Sequence, residues 1–230
     1  LYGIVMSEES SPELKEPQRK TSNTVKLALL AGVLGLAIGA GLYAFSGPLG
    51  NVESETAQGG CAIDNKLRAK LDAAAHGHLA AFKATDRPIS VAKLAFKDGN
   101  GHDRTLADWA GRTVLLNLWA TWCAPCRAEM PALDALQRDL GGDNFEVVPV
   151  SVDLGSDAKP RRFYAEVGMQ HAGFFHDSEI ETLDVLKKQG LAFGLPATLL
   201  VGKTGCVLGT LNGPAEWASD EAKSLVSIAF

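Results

Sequence analysis

The sequence predicts an α/β domain, a central mixed sheet with helices on both faces, with a transmembrane helix ahead of it. Three observations point there. Thr113–Leu118 and Glu146–Val152 are continuous apolar runs suited to strands buried on both faces. Stretches with apolar residues at helical spacing follow each of them. Leu27–Phe45 is 19 residues without a charge, close to the roughly 20 needed to cross a bilayer core as a helix.

From the N-terminus, residues 1–24, of which Ser7–Thr24 are rich in Ser, Glu, Lys and Pro, read as a disordered tail. Residues 25–45 are the expected anchor. The apolar part of a cleaved signal peptide is about 7 to 15 residues, shorter than this run. Lys15, Arg19, Lys20 and Lys26 precede the run and no basic residue follows until Lys66, which leaves the tail in the cytoplasm and exports the rest. Residues 46–60, with their glycines and polar residues, read as a linker, and 61–230 as one globular domain. Gln58-Gly59-Gly60-Cys61 lacks an apolar residue three before the cysteine, so lipid attachment is not expected.

Within the domain, Leu67, Leu71, Ala74 and Leu79 suggest a helix ending near Phe82. His76-Gly77-His78 are read as solvated, because residues two apart on a helix point in different directions. Val91–Phe96 and Thr105–Trp109 flank Asp98-Gly99-Asn100-Gly101, the turn chemistry of a hairpin. The first central strand, Thr113–Leu118, follows. After Cys123 the residues Cys126, Met130, Leu133 and Leu140 lie on one helical face, with Pro131 expected to kink that helix. Glu146–Val152 is the second buried strand. Ala158–Val167 is a helix that tolerates Pro160 in its first turn. Then come a short strand at Phe174-Phe175, a helix over Glu179–Gln189, strands at Ala197–Val201 and Cys206–Leu211, and a last helix over Pro214–Ile228.

Chemistry concentrates at Thr121-Trp122-Cys123-Ala124-Pro125-Cys126. A thiol at a helix N-terminus lies near unpaired backbone N–H groups and the positive end of the helix dipole, which favour thiolate over thiol. Cys123 is the expected nucleophile. Cys126, one turn inside on the core side, is the expected resolving thiol. A zinc ribbon needs a second cysteine pair at similar spacing, and Cys61 and Cys206 stand alone; neither metal nor organic cofactor is expected. Four cysteines allow three pairings and the sequence does not choose among them; with Cys123 and Cys126 joined, Cys61 and Cys206 remain to close a structural bridge. The 230 residues carry a net charge of −5, which gives no electrostatic reason to expect nucleic acid as a partner.

The element order, with Trp122-Cys123-x-x-Cys126 after the first central strand and Gly194-Leu195-Pro196 before the later hairpin, resembles the thioredoxin fold. Asn117 to Pro131, Gly213-Pro214-Ala215-Glu216-Trp217-Ala218 and the two outlying cysteines resemble the membrane-anchored, periplasmic TlpA-type proteins. That resemblance implies a thiol-disulfide oxidoreductase held on the bacterial inner membrane. It would reduce disulfides of periplasmic assembly proteins, copper-site or cytochrome maturation factors among them, and draw electrons from a membrane thiol transporter. It also implies a cis Pro196 and a substrate site made by Trp122, Leu195 and Pro196, with Ala124, Pro125 and Glu129 in support.

Two positions depart from relatives. Cytosolic thioredoxins carry a buried aspartate where Asn117 stands, and an amide cannot take up the proton of the resolving thiol. Maturation-specific relatives often place an acid just after the loop proline, where Ala197 and Thr198 stand here. The acid nearest the dithiol in sequence, Glu129, reads as a solvated helix residue. Rival functions for the same cysteines are a disulfide oxidase, which normally carries a longer helical insertion, and a copper-binding assembly factor with His171 or His176 as a further ligand.

Overall fold

The computed structural model describes residues 60–62 and 64–230. The expected tail, anchor and nearly all of the linker lie outside them. No helix among the described residues is long and apolar enough to cross a membrane.

The sheet grows outward from Thr113–Trp119 (β4), a strand whose seven residues are all buried. Val114, Leu116 and Leu118 point to one face and Leu115, Asn117 and Trp119 to the other, so both faces are covered. Phe145–Ser151 (β5) lies parallel to β4, with Asn117 opposite Pro149. Ala197–Val201 (β7) lies antiparallel on the other side, with Asn117 opposite Thr198. Val207–Asn212 (β8) pairs with β7, and Phe175–His176 (β6) pairs with β5. Lys83–Ala84 (β1), Ala95–Asp98 (β2) and Asp103–Thr105 (β3) complete an eight-stranded sheet in the order β1-β8-β7-β4-β5-β6-β2-β3.

The parallel steps from β4 to β5 and from β5 to β6 need crossovers, supplied by Ala124–Leu140 (α2) and Ala158–Val167 (α3). Both steps move the same way along the sheet, so right-handed crossovers put α2 and α3 on one face. There Trp119 packs against Phe163 and Tyr164 of α3, with ring centroids 5.4 and 5.7 Å away. Cys126, Met130, Leu133 and Leu136 are the buried stripe of α2, and Leu140 is half-buried. Pro131 lies inside α2 and the helix continues past it to Leu140.

Several boundaries differ from expectation, most of them for a local reason. The first helix (α1) is Asn65–Ala74, N-capped by Asp64, and stops well before Phe82. Gly77 at φ +55° turns the chain instead into a 3-10 turn over Gly77–Leu79. Leu106–Trp109 is a 3-10 helix, not strand, because Thr105 and Asp108 form a capping box. The hairpin is therefore shorter than its apolar flanks. Helix α4 is Glu181–Lys188. The last helix, α5, is only Asp220–Ser227, N-capped by Ser219; Pro214–Ala218 is loop, and its backbone is used elsewhere. Strand β1 carries no alternation in two residues and was not expected. It lies so close to β8 that a side chain on Gly209 would meet Phe82 at 2.2 Å and the Lys83 carbonyl at 2.8 Å.

Candidate active site

β4 ends at Trp119 and the chain turns through Ala120–Trp122 into α2, with Cys123 as its N-cap. Cys123 and Cys126 are joined, S–S 2.05 Å and Cα atoms 5.3 Å apart. The Cys126 backbone N–H points at Cys123 Sγ at 3.3 Å. On reduction that donor and the helix N-terminus stabilise negative charge on the Cys123 sulfur. Cys126 has no exposed surface, while Cys123 retains 6%. The outer sulfur is therefore the one a partner can reach. Trp122, Ala124 and Pro125 around it are exposed.

Cys61 and Cys206 form the second disulfide, Cα atoms 5.7 Å apart across 145 residues. They are 3% and 9% exposed. Accessibility alone does not separate the two bridges; position on a helix N-terminus does.

Glu129 departs most from its expected place. It is buried, 4% exposed, on the face of α2 that meets the sheet. Asn117 Nδ2 donates to its Oε1 at 2.8 Å, and the Ala215 N–H and Trp217 Nε1–H donate to its Oε2 at 3.0 and 3.2 Å. Burial pushes its pKa up to about 7, against the pull of these three donors and with the charge of Glu216 adding to the rise. The Gly213–Ala218 segment thus has a definite task, to wrap donors around this carboxyl. Asn117 Nδ2 also donates to Thr198 Oγ1 at 3.0 Å, and Asn117 Oδ1 has no partner among the described residues.

The Leu195-Pro196 peptide is cis. Because Leu118 of β4 is opposite Ala197 at the start of β7, this loop lies at the same end of the sheet as the dithiol. Leu195 is half-buried and Pro196 buried. At the same end, Trp122 lines a cleft of about 570 Å³ whose other walls include Asp153, Leu154, Lys159 and Ile180. Asp153 ties the approach to Cys123 in place: its carboxylate accepts from the Thr121 N–H at 2.9 Å, from Thr121 Oγ1 at 2.5 Å and from Ser151 Oγ at 2.9 Å. Asp153 was not among the expected site residues, although an acid directly after the expected strand Glu146–Val152 marks the position.

The histidines considered as copper ligands are committed elsewhere. His171 Nδ1 lies 2.9 Å from Asp134 Oδ2, and buried His176 has Nε2 2.7 Å from the Asp153 carbonyl. No cluster of three metal-ligating side chains occurs among the described residues. His76 and His78 are exposed, as expected.

Comparison with known proteins agrees with this geometry. Residues 80–226 match the family model described as Redoxin. The thioredoxin-like protein YneN of Bacillus subtilis (strain 168) is 47% identical over 58 residues, 25% of this chain and 34% of that protein. The thiol-disulfide oxidoreductase ResA of Geobacillus kaustophilus (strain HTA426) is 30% identical over 116 residues, 50% of this chain and 63% of that protein. The chain thus spans about a third to two thirds of the length of these curated relatives. A solved structure of a thiol:disulfide interchange protein from Chlorobium tepidum TLS shares the fold, with TM-score 0.52, 21% identity, and 64% of this chain and 99% of that chain covered.

Proposed function

Because this chain belongs to the Redoxin family as a TlpA-type thioredoxin-like protein, we propose that its Cys123/Cys126 pair reduces disulfides of partner proteins outside the cytoplasm. The observation that carries this is the asymmetry of the pair: Cys123 caps a helix N-terminus and keeps 6% exposure beside exposed Trp122 and Ala124, whereas Cys126 is fully buried one turn within. In the reduced protein the Cys123 thiolate attacks one sulfur of the partner's disulfide, forming a mixed disulfide and releasing the other partner sulfur as a thiolate. Cys126 loses its proton, attacks Cys123 Sγ and displaces the partner. Two electrons pass to the partner, which leaves as a dithiol, and the Cys123/Cys126 disulfide remains.

Glu129, buried on the same helix and poised near neutrality, is the acceptor for the Cys126 proton. A membrane thiol transporter then restores the dithiol. The resemblance to TlpA-type proteins and the uncharged run 27–45 support an inner-membrane anchor with the domain in the periplasm, and a role in cytochrome or cytochrome oxidase maturation.

The test is trapping. Cys126→Ser accumulates mixed disulfides with partners through Cys123, because attack survives and resolution does not. Cys123→Ser traps none; equal trapping through Cys126 would reverse the assignment. The equilibrium potential of the pair against glutathione separates a reductant from an oxidant.

A further inference from the structure

Among the described residues the three most exposed large apolar side chains are Phe193, Leu154 and Trp122, at 77%, 71% and 68%. Their positions in the chain place them at one end of the sheet, and Trp122 and Leu154 line one cleft. Trp122 follows the C-terminal end of β4, Leu154 follows the C-terminal end of β5, which is parallel to β4, and Phe193 precedes the N-terminal end of β7, which is antiparallel to β4. All three therefore stand at the dithiol end of the sheet. Exposed apolar groups concentrated in this way mark a surface that a partner covers.

The cleft beside Trp122 narrows the chemistry of that partner. At about 570 Å³ it falls in the size range of ligand clefts. Its only carboxylate, Asp153, already accepts from Thr121 and Ser151, so the floor offers no free acidic group. One wall is Ile180, a β-branched residue held at φ +62°, where glycine would fit without strain. The loop that carries it is fixed by the Gly155 N–H donating to the Ser178 carbonyl and by Asp177 accepting from Thr182. A strained isoleucine thus presents an apolar wall to the cleft. Lys159 is the only cation on the lining. It lies in the first turn of α3, where the helix dipole disfavours a cation. It has no ion pair among the described residues, and neighbouring Asp157 is taken by Arg161.

We propose that this cleft is a specificity subsite: it takes a bulky apolar side chain that the partner carries next to its reactive cystine, and Lys159 receives a partner carboxylate beside that side chain. Trp122 directly precedes the nucleophile, so an occupant of the cleft belongs to a residue adjacent to the attacked sulfur. The inference rests on the disulfide reductase reading and adds the class of segment that the reductase selects.

The experiment compares reduction by the full chain, pre-reduced, of three peptides that each contain one disulfide. The residues flanking the reactive cysteine are Phe and Asp, Phe and Lys, or Ala and Asn, tested in both orders; hydroxyethyl disulfide serves as the small reference. The Phe/Asp peptide should have a kcat/KM about tenfold above the Ala/Asn peptide and roughly fivefold above the Phe/Lys peptide. Lys159→Glu should invert the Phe/Asp to Phe/Lys ratio, and Ile180→Gly should bring the Phe to Ala ratio towards one. Equal kcat/KM for all three peptides in the unmodified chain, with hydroxyethyl disulfide still reduced, would overturn the subsite and leave the reductase reading standing. Failure to reduce any of the four disulfides would overturn the reductase reading, and the subsite with it.

Discussion

Glu129 holds a carboxyl group in a place that resists its charged form, yet surrounds it with three donors that suit that form. With the native pKa raised from 4.5 to about 7, the folded state binds the proton more tightly than the unfolded chain. The stabilisation is complete below about pH 4.5 and is lost as pH rises through 7, a difference on the order of 3 kcal/mol. Urea unfolding at pH 5 and pH 8 should therefore show a fall in stability for the natural chain that Glu129→Gln largely lacks. The same variant should slow resolution of the mixed disulfide roughly 100-fold, the usual reach of a general base, in single-turnover quenching. Asn117 suits a carboxyl that changes state: a half-turn of its amide puts the unpartnered Oδ1 where Nδ2 now donates, ready to accept from a protonated Glu129. The two cysteines were legible in the sequence because their spacing alone encodes the chemistry. The burial of Glu129 was not, because its cover comes from Ala215 and Trp217, 86 and 88 residues further along the chain.

Helix α2 fixes more than the dithiol. Its Asp134 collects the N–H groups of Gln170, His171 and Ala172 in the turn after α3, at 3.1, 2.8 and 2.8 Å. Burial alone would raise its pKa, but these donors and the His171 ring hold it below the ordinary value. Asp134→Ala should lower stability by about 2 to 3 kcal/mol, the worth of hydrogen bonds to a charged group, measured as a shift in the urea midpoint at unchanged slope; Asp134→Asn should recover part of it. Because the native pKa lies below the unfolded value, this contribution is present above about pH 3.8 and fades as the pH falls further. The elements themselves were legible wherever the apolar pattern was strong, as in β4, β5 and α2. They were misjudged where side chains compete for the backbone. Thr105 and Asp108 turned an expected strand into a 3-10 helix, and donation to Glu129 kept Ala215 out of the last helix. The two-residue strand β1 is too short to show a period and was not expected; β6, equally short, lies one residue beyond the strand expected at Phe174-Phe175, and both pair along edges that their neighbours offer.

At the scale of the whole domain, the Cys61–Cys206 bridge closes a loop of 145 residues around nearly the entire fold. In the chain-entropy account such a loop stabilises the native state by about 5 kcal/mol. Cys61→Ser/Cys206→Ser should lose most of that in thermal or urea unfolding, while thiol titration still finds a reactive Cys123. Cys206 lies in the turn between β7 and β8, near the end of β7 that pairs with Val114, whereas the dithiol follows the other end of β4. The staple and the reactive pair therefore occupy opposite poles of the sheet, about 20 Å apart at the usual rise per strand residue. This arrangement also governs how the domain bears tension. A pull applied between the residues before Cys61 and the C-terminus passes through two sulfur atoms directly into β8, and only the short stretch from Val207 to Phe230 can lengthen. Everything between Ala62 and Gly205, the dithiol and its cleft included, is off the load path for as long as that one bridge is intact.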